Sequence, residues 1–217
     1  IMLIPFTNHL VSLSKAIVKD EPEKPARHPE LTGLSENLYI SPAVALAEAT
    51  KAISFMGTVA RDNFKRCCKQ LLNYDPSLSA EIAEEETSLD QFSDSADHFL
   101  IGLSKVVETE SDDRQVDMLL QTIPSFERIG DYGTNLEELG EKLLHEGGSF
   151  SDKAKEELNI LTTAVSEILD ITIQALSEND SDLSKTIEPL EEVIDDMVRL
   201  LKDRHTKRLK NGSCSVT

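Results

Sequence analysis

The stretch FERIGDYGTN, residues 126–135, carries two glycines inside a segment of helical periodicity. Both glycines fall in heptad rows of otherwise apolar residues, which are Val116, Ile123 and Gly130 in one row and Leu119, Phe126, Gly133 and Gly140 in the other. An interior glycine costs a helix roughly 1 kcal/mol relative to alanine, so a glycine in the apolar stripe indicates that a second helix approaches closely. The stretch therefore predicts a closely packed helical bundle.

Two acids lie beside these glycines, because Glu127 flanks the apolar stripe and Asp131 directly follows Gly130. Acids four residues apart share one helix face, and two such pairs on facing helices can bring four carboxylates to one point. Comparable pairs occur in EEETSLDQF, residues 84–92, and in PLEEVIDDM, residues 189–197. They are Glu86 and Asp90 in the first stretch and Glu191 and Asp195 in the second.

These spacings allow two interpretations. A chain with 40 acids contains several such pairs by composition alone, and acids of this kind are commonly solvated at the edge of a bundle. The alternative is a carboxylate cluster that neighbouring helices share and that binds a hard cation through oxygen atoms. The position beside Gly130 favours Glu127 and Asp131 over the other pairs.

The rest of the chain also has the period of an α-helix, with few aromatic residues and no run of alternating β-branched residues that would predict a sheet. We expect helices at about residues 42–73, 79–108, 114–145, 151–177 and 181–210. Long helices joined by short turns are typical of antiparallel bundles. The sequence therefore predicts an all-α protein, with a three-helix bundle at 41–148 and a second bundle at 149–217 that is incomplete at the C-terminus.

The expected helix ends rest on capping and breaking residues. Ser41 followed by Pro42 is a typical N-cap and first helical residue. Residues 110–113 are polar and predict the turn between the second and third helices. Pro189 is expected to kink the fifth helix, because proline cannot donate the backbone hydrogen bond of a helix interior.

The formal net charge of −18 argues against a nucleic-acid partner, since phosphate backbones are bound mainly by Lys and Arg. The three cysteines form neither a disulfide framework nor paired CxxC motifs, which favours a reduced, cytoplasmic setting. Adjacent positions on a helix point about 100° apart. We therefore expect one of Cys67 and Cys68 in the core and the other half-exposed.

The N-terminal region has a different character. Residues 1–20, IMLIPFTNHLVSLSKAIVKD, begin apolar and become amphipathic, and the charged, proline-bearing DEPEKPARHPE, residues 20–30, follows. This pattern fits either a surface helix and linker or the cytoplasmic end of a membrane helix. A secretory signal fits poorly, because no basic region precedes the apolar run and no small-residue cleavage site follows it.

FERIGDYGTN resembles the E-R-I-G-D-x-x-x-N signature of PhoU-like phosphate regulators, and the matching positions are Glu127, Arg128, Ile129, Gly130, Asp131 and Asn135. The resemblance implies two three-helix bundles that bind metal ions through paired ExxxD motifs. It assigns Glu86 and Asp90 to the companion motif of the first bundle, and Glu191 and Asp195 to the second bundle. The family's sixth helix, with its own ERIGD-like motif, has no counterpart here, so the second pair lacks its partners.

The N-terminal region indicates a more specific resemblance within this group of proteins. PFTNHLVSLSKAIV, the charged linker and SPAVALAEATKAI are similar to the junction in bacterial sodium/phosphate cotransporters where the last membrane helix leads into a cytoplasmic PhoU-like domain. The resemblance implies that residues 1–40 are the end of a membrane helix and a linker. It also implies a transporter membrane domain as partner, sodium and phosphate as the ions handled by the full-length protein, and a place on the cytoplasmic face of the inner (plasma) membrane.

Two functions from different classes follow. The first is a regulatory, metal-binding helical domain of a sodium-dependent phosphate transporter, which acts through conformational coupling or partner binding and catalyses nothing. The alternative is a di-metal carboxylate enzyme on a helical bundle, although such sites usually use Glu-x-x-His pairs, which this sequence lacks. For either function the expected cofactor is a divalent cation, namely magnesium, manganese, iron or calcium, held by carboxylate oxygens.

The fourth predicted helix carries a broad apolar stripe that includes Leu158, Leu161, Val165 and Leu169. With a fifth helix and no sixth beside it, this stripe would stay open in a monomer. Soluble monomers rarely expose an apolar patch of more than a few hundred Å². We therefore expect a homo-oligomer, or closure of the groove by residues 1–18.

Overall fold

The computed structural model describes residues 27–212 of the chain. These residues form five long helices, which are α1 Pro42–Leu72, α2 Ser79–Leu103, α3 Glu110–His145, α4 Asp152–Glu178 and α5 Ile187–Lys210. A one-turn helix at Ser181–Ser184 and 3-10 turns at Pro29–Thr32, Glu36–Ile40 and Pro76–Leu78 complete the described secondary structure, in which there is no β-strand. The prediction of an all-α bundle is confirmed.

The boundary between α2 and α3 differs from the prediction. Helix α2 ends at Leu103, five residues earlier than expected, and α3 begins at Glu110. The side chain of Thr109 caps α3 by accepting a hydrogen bond from the backbone N–H of Asp112 over 3.1 Å. The acids of residues 110–113 therefore lie in the first helical turn, where the helix dipole stabilises negative charge. The prediction of a turn at 110–113 was wrong.

The other helix ends agree more closely with the sequence. Helix α1 begins at Pro42, although the Ser41 side chain makes no capping hydrogen bond. The predicted fifth helix is divided in two, since a single turn at Ser181–Ser184 precedes α5. Pro189 lies in the first turn of α5, where a missing N–H donor costs little. The helix is therefore interrupted before Ile187, and the predicted kink at Pro189 is not observed.

Helices α1, α2 and α3 form one bundle, in which α1 and α3 are parallel and α2 is antiparallel to both. At one end, Gln115 Nε2 of α3 donates to Thr50 Oγ1 of α1 over 3.1 Å. At the other end, Gly140 of α3 lies against the backbone of Gln70 of α1. All three helices contribute fully buried apolar side chains to the core, among them Ile53, Met56, Leu89, Leu100, Leu119 and Ile123.

The glycines of α3 lie where this helix meets its neighbours. A Cβ at Gly133 would be 3.3 Å from Sγ of Cys67, and one at Gly140 would be 2.5 Å from the carbonyl oxygen of Gln70. Because the contact at Gly140 is with backbone, a larger side chain would force α1 and α3 apart. The close helix approach expected from the glycine rows is present.

Cys67 and Cys68 are both buried free thiols. Burial raises the pKa of Cys67 to about 12 and the pKa of Cys68 to about 11. The prediction that one of them is half-exposed was wrong, because α1 packs against α2, α3 and α4 and therefore has little free surface. Both thiols stay protonated at neutral pH and are poor nucleophiles.

The described residues before α1 are packed against the bundle. Leu31 belongs to the core, and the Tyr39 hydroxyl donates to the carbonyl of Phe99 over 2.9 Å. Buried Glu85 of α2 accepts hydrogen bonds from Arg27 Nε at 2.9 Å and pairs with His28 Nε2 at 2.7 Å. The expected end of a membrane helix at residues 1–26 lies outside the described residues.

Helix α4 packs against α1, and α5 packs against α4. Arg61 of α1 forms an ion pair with Asp170 of α4. Between α4 and α5, buried Glu157 accepts hydrogen bonds from Arg204 at 3.2 Å and from Arg208 at 2.7 Å. The second part of the fold is thus a helical hairpin attached to the three-helix bundle through α4.

Within residues 27–212, two helices, α1 and α4, are long and apolar enough to cross a membrane, by the criteria of length and composition. In α1, 61% of the apolar window is buried within the protein, as expected of the central helix of a bundle. In α4 the buried share is 22%. Most of the apolar window of α4 is therefore half-buried or exposed.

Candidate metal centre

One face of α2 is lined with acids. The helix has seven Asp and Glu residues and no Lys or Arg. Glu86, Asp90, Ser93 and Asp97 follow each other at helical spacing, so they lie on the same side of the helix. This side meets α3, since Ser93 Oγ donates a hydrogen bond to Glu127 Oε2 over 3.0 Å.

Three carboxylates meet on this face. Glu86 and Asp90 of α2 and Asp131 of α3 each offer one oxygen, and these oxygens all lie within 4.8 Å of one another. Glu86 is half-buried, whereas the two aspartates are exposed to solvent. The cluster therefore opens to solvent and spans two helices.

Gly130 accounts for the approach of α2 and α3 at this point. A Cβ at Gly130 would be 3.0 Å from Cδ1 of Leu89, which directly precedes Asp90 on α2. A larger residue at 130 would displace Leu89 or move α2 away. The glycine in the apolar stripe thus lets Asp131 come within reach of the two acids of α2.

Mutual repulsion dominates the electrostatics of the cluster. Burial raises the pKa of Glu86, and the negative charges of Asp90, Asp131 and Glu127 raise it further. Carboxylates in this arrangement favour bound positive charge, whether a proton or a cation.

Glu127 lies beside the cluster without belonging to it. Its carboxylate accepts the hydrogen bond from Ser93, and its charge acts on both Glu86 and Asp97. Of the four acids expected at this position, the structure brings three together and places the fourth at the edge. Only one of its two oxygens, Oε2, accepts the hydrogen bond from Ser93.

Asp97 was not singled out in the sequence. Burial raises its pKa, with further contributions from Glu127 and Asp94. Its Oδ1 atom is buried and has no hydrogen-bond donor among the residues that the structure describes. The signal that would have found it is its spacing of seven residues from Asp90, which continues the acidic face by two turns.

Glu191 and Asp195 lie on α5 and are exposed. Within residues 27–212 neither of them joins a group of three potential metal ligands. The structure thus gives the second predicted pair no third carboxylate.

The donor set of the cluster fits a hard divalent cation. Metal–oxygen distances of about 2.1 to 2.5 Å place the oxygens around one ion no more than about 5 Å apart, as observed for Glu86, Asp90 and Asp131. Carboxylate oxygens without thiol or imidazole suit magnesium, calcium or manganese. The solvent-exposed side of the cluster leaves room for water to complete the coordination.

A comparison with known protein families finds a match over the part of the chain that contains the carboxylate cluster. Residues 53–139, which run from α1 into α3, match the PhoU domain family. The match includes Glu86, Asp90, Glu127 and Asp131, so all four acids lie within the segment that is similar to the PhoU domain. No curated protein and no solved structure matches the chain.

Proposed function

We propose that this protein is a metal-responsive regulatory domain of the PhoU type, which acts on a sodium-dependent phosphate transporter from the cytoplasmic face of the inner membrane. The observation that carries the proposal is the meeting of Glu86, Asp90 and Asp131 within the residues that match the PhoU domain. A cation at this position would join α2 to α3 and reduce the repulsion between them. Metal occupancy would thereby alter the packing of the bundle.

Regulation is favoured over catalysis by the ligand chemistry. Di-metal enzymes on helical bundles commonly take imidazole ligands from Glu-x-x-His pairs, and the sequence contains none. The proposed role needs only that the ion stabilise one arrangement of two helices. A hydrolytic or redox activity that depends on added metal would support the enzyme instead.

The attachment to a membrane rests on the N-terminal sequence. Residues 1–19 contain apolar residues, two lysines and no acid, unlike the strongly acidic remainder. Arg27 and His28 bind the buried Glu85, which lies one residue before Glu86. The chain that leads away from this anchor would therefore connect the membrane to the helix that carries two of the three metal ligands.

The metal site is tested by titrating the full chain with manganese in a calorimeter. We expect saturable binding to the wild type, and binding about tenfold weaker or more after Asp131→Asn. Asp117→Asn is the matched control, because Asp117 is an exposed aspartate of α3 outside the cluster. The control should bind manganese as the wild type does, and all three proteins should have the same helix content by circular dichroism.

The proposal fails if the wild type shows no saturable binding at millimolar manganese, or if Asp131→Asn binds as tightly as the wild type. Phosphate uptake by cells that carry these variants tests the regulatory part. Asp131→Asn should change the response of uptake to external phosphate, and Asp117→Asn should not. If the wild type binds manganese but uptake responds equally in both variants, the metal site does not regulate transport.

A further inference from the structure

The second half of α5, residues 199–210, is basic although the chain is acidic. It contains six of the 22 Lys and Arg of the chain and one of its 40 acids, which gives it a formal charge of +5 within a chain of −18. The first half, residues 187–198, has five acids and no Lys or Arg. Cations are therefore gathered at one end of one helix.

Two of these cations bind within the protein. Arg204 and Arg208 donate hydrogen bonds to the buried carboxylate of Glu157 on α4, over 3.2 Å and 2.7 Å. They hold this side of α5 against α4. Their charges are largely used by a contact inside the fold.

Three lysines lie on the far side of α5 from these arginines. Lys202, Lys207 and Lys210 are exposed and form no ion pair with the residues that the structure describes. At about 100° per residue, the three lysines fall within an arc of about 140° that points away from Arg204 and Arg208. This arc therefore faces solvent, on the side of α5 opposite α4.

Other charges lie beside the three lysines. Arg199 falls in the same arc, is 74% exposed and pairs with Asp196 at the end of the acidic half. Asp203 is exposed and lies between the lysines. We call Arg199 and the three lysines the basic face of α5. Four cations against these two acids leave it with a formal charge of +2.

The basic half of α5 lies at the end of the molecule where α1 and α3 terminate. Gly140, near the end of α3, packs against Gln70, near the end of α1. Residues 146–151 connect α3 to α4, so α4 begins near this end. Glu157, in the second turn of α4, binds the basic half of α5 and keeps it there.

The described chain starts at the same end. Arg27 donates to Glu81 Oε1 in the first turn of α2 over 3.0 Å. Glu81 also lies 3.4 Å from Arg66, in the last two turns of α1. Residue 27, from which the chain continues toward its N-terminus, is therefore at the end of the molecule that carries the basic face of α5.

We propose that the basic face of α5 binds the anionic headgroups of a phospholipid membrane. The choice of partner rests on the proposed attachment of the chain to a membrane on the N-terminal side of residue 27, and it does not depend on the metal site. Clusters of Lys and Arg are attracted to anionic lipids, and each cation near the surface raises the affinity roughly fivefold. Because the face points away from α4, the membrane can contact it without disturbing the ion pairs of Glu157.

The acidic half of α5 determines how the helix meets the membrane. Glu191 and Asp195 are exposed and would be repelled by anionic headgroups. At 1.5 Å per residue, Lys207 lies about 18 Å from Asp195 along the helix, which is roughly two Debye lengths at physiological salt. The helix therefore approaches the membrane with its C-terminal half, and the acids of the first half are largely screened.

A nucleic acid fits this face less well. Strong binding to a duplex commonly neutralises about 6 to 10 phosphates, and the basic face offers four cations. A duplex is also long enough to pass the acidic surfaces of a chain with a charge of −18. A membrane can instead be met at one end of the molecule.

The first test is cosedimentation of the full chain with vesicles of phosphatidylcholine, alone or with about one third phosphatidylglycerol. We expect tighter binding to the anionic vesicles. The triple variant Lys202→Gln, Lys207→Gln, Lys210→Gln should bind them at least tenfold more weakly, and it should bind the neutral vesicles as the wild type does. High salt should remove the preference of the wild type, because the attraction is between charges.

The matched control is the triple variant Lys51→Gln, Lys69→Gln, Lys105→Gln. These three lysines are exposed, form no ion pair with the described residues and lie outside α5. The control has the same net charge as the first triple variant, so it should bind anionic vesicles as the wild type does if the position of the charges matters. Circular dichroism checks that both variants keep their helix content.

The second test locates the contact on the protein. In a Cys214→Ser background, a fluorophore is attached to Thr206→Cys, since Thr206 is exposed within the arc of the lysines and both remaining cysteines are buried. Lipids with a nitroxide on the headgroup should quench this label on anionic vesicles. The same label at Ser125→Cys, an exposed position of α3, should not be quenched.

Several outcomes overturn the proposal. Equal binding of the wild type to neutral and anionic vesicles would show that headgroup charge is not recognised. Binding to anionic vesicles that the α5 triple variant does not weaken would place the contact on another surface. Tighter binding to a DNA duplex than to anionic vesicles at the same salt concentration would make nucleic acid the partner.

A manganese titration of the α5 triple variant separates this proposal from the metal site. We expect it to bind manganese as the wild type does, because the basic face is on another helix than the carboxylate cluster. Loss of vesicle binding with unchanged manganese binding supports the membrane contact. If the wild type binds vesicles but no manganese, the metal site fails and the membrane contact stands.

Discussion

The three-helix bundle and the α4/α5 hairpin bury their apolar residues to very different extents. In the bundle, α1, α2 and α3 each place several fully buried side chains in a common core. In the hairpin, Ile173 and Ala175 of α4 are the buried hydrophobic residues among those described, and α5 has none. A bundle of three helices encloses a core, whereas two helices leave one side of each apolar stripe uncovered.

Each region contains one buried glutamate that forms ion pairs, and the surroundings of the two glutamates show which interactions stabilise each region. Glu85 in the bundle binds Arg27 and His28 beside a complete core. Glu157 in the hairpin binds Arg204 and Arg208, where few apolar contacts accompany the ion pairs. The hairpin therefore relies on polar contacts that depend on pH and salt. The bundle relies mainly on the burial of apolar side chains, which do not titrate.

The largest expected effect comes from truncating the same residue type in the two regions. Ile123→Ala in the bundle should reduce the free energy of unfolding by about 4 kcal/mol, because it leaves a cavity in a closed core. Ile194→Ala in the hairpin should cost about 1 kcal/mol, because Ile194 is only half-buried. Urea unfolding followed by circular dichroism measures both. Similar values for the two variants would contradict the difference in burial.

A smaller effect is expected from Glu157→Gln. Burial alone would raise the pKa of Glu157, but the hydrogen bonds and charges of Arg208 and Arg204 outweigh it and lower the pKa. The folded protein therefore gains stability from the ionised group above the unfolded pKa of about 4.3, and loses it as pH falls through the folded pKa. At pH 7 the variant should lose about 1 to 2 kcal/mol.

The loss should show first as faster hydrogen exchange of the α5 amides, because α5 has few other contacts. Below about pH 3 the variant and the wild type should be equally stable. Glu178→Gln, which removes an exposed acid from the end of α4, serves as control. If the difference in stability between Glu157→Gln and the wild type did not depend on pH, the ion pairs of Glu157 with Arg204 and Arg208 would not be its cause.

The smallest effect concerns Glu86 of the carboxylate cluster. Its folded pKa is raised by burial and by neighbouring acids, so the group favours folding below the unfolded pKa and this contribution is lost as pH rises through the folded pKa. In metal-free buffer at pH 7, Glu86→Gln should therefore stabilise the protein by about 0.5 kcal/mol. The gain should vanish near pH 4. A destabilised variant at pH 7 would show that the repulsion is already relieved.

The sequence predicted the helical bundle and the closely packed face of α3, because these follow from local periodicity. It misplaced the start of α3, since acids 110–113 suit a turn and a helix N-terminus equally well. It also misjudged the exposure of one cysteine. The number of helices around α1 decides whether Cys68 is buried, and that number is not a property of α1.

In the candidate site, too, some features follow from the local sequence and others depend on how the helices pack. The ExxxD spacing placed Glu86 with Asp90, and the glycine at 130 indicated which face of α3 would meet them. Glu127 lies at the edge of the cluster, and its Oε2 accepts a hydrogen bond from Ser93, which lies on another helix. Asp97 was missed because its importance comes from burial between the helices.

The sequence by itself determined the helices and the acidic character of α2, because helical period and charge are properties of neighbouring residues. The tertiary structure decided which acids come together and which apolar stripe stays open. Residues distant in sequence, such as Asp90 and Asp131, meet only after helices pack. The distance between such residues depends on side chains as small as the missing Cβ of Gly130.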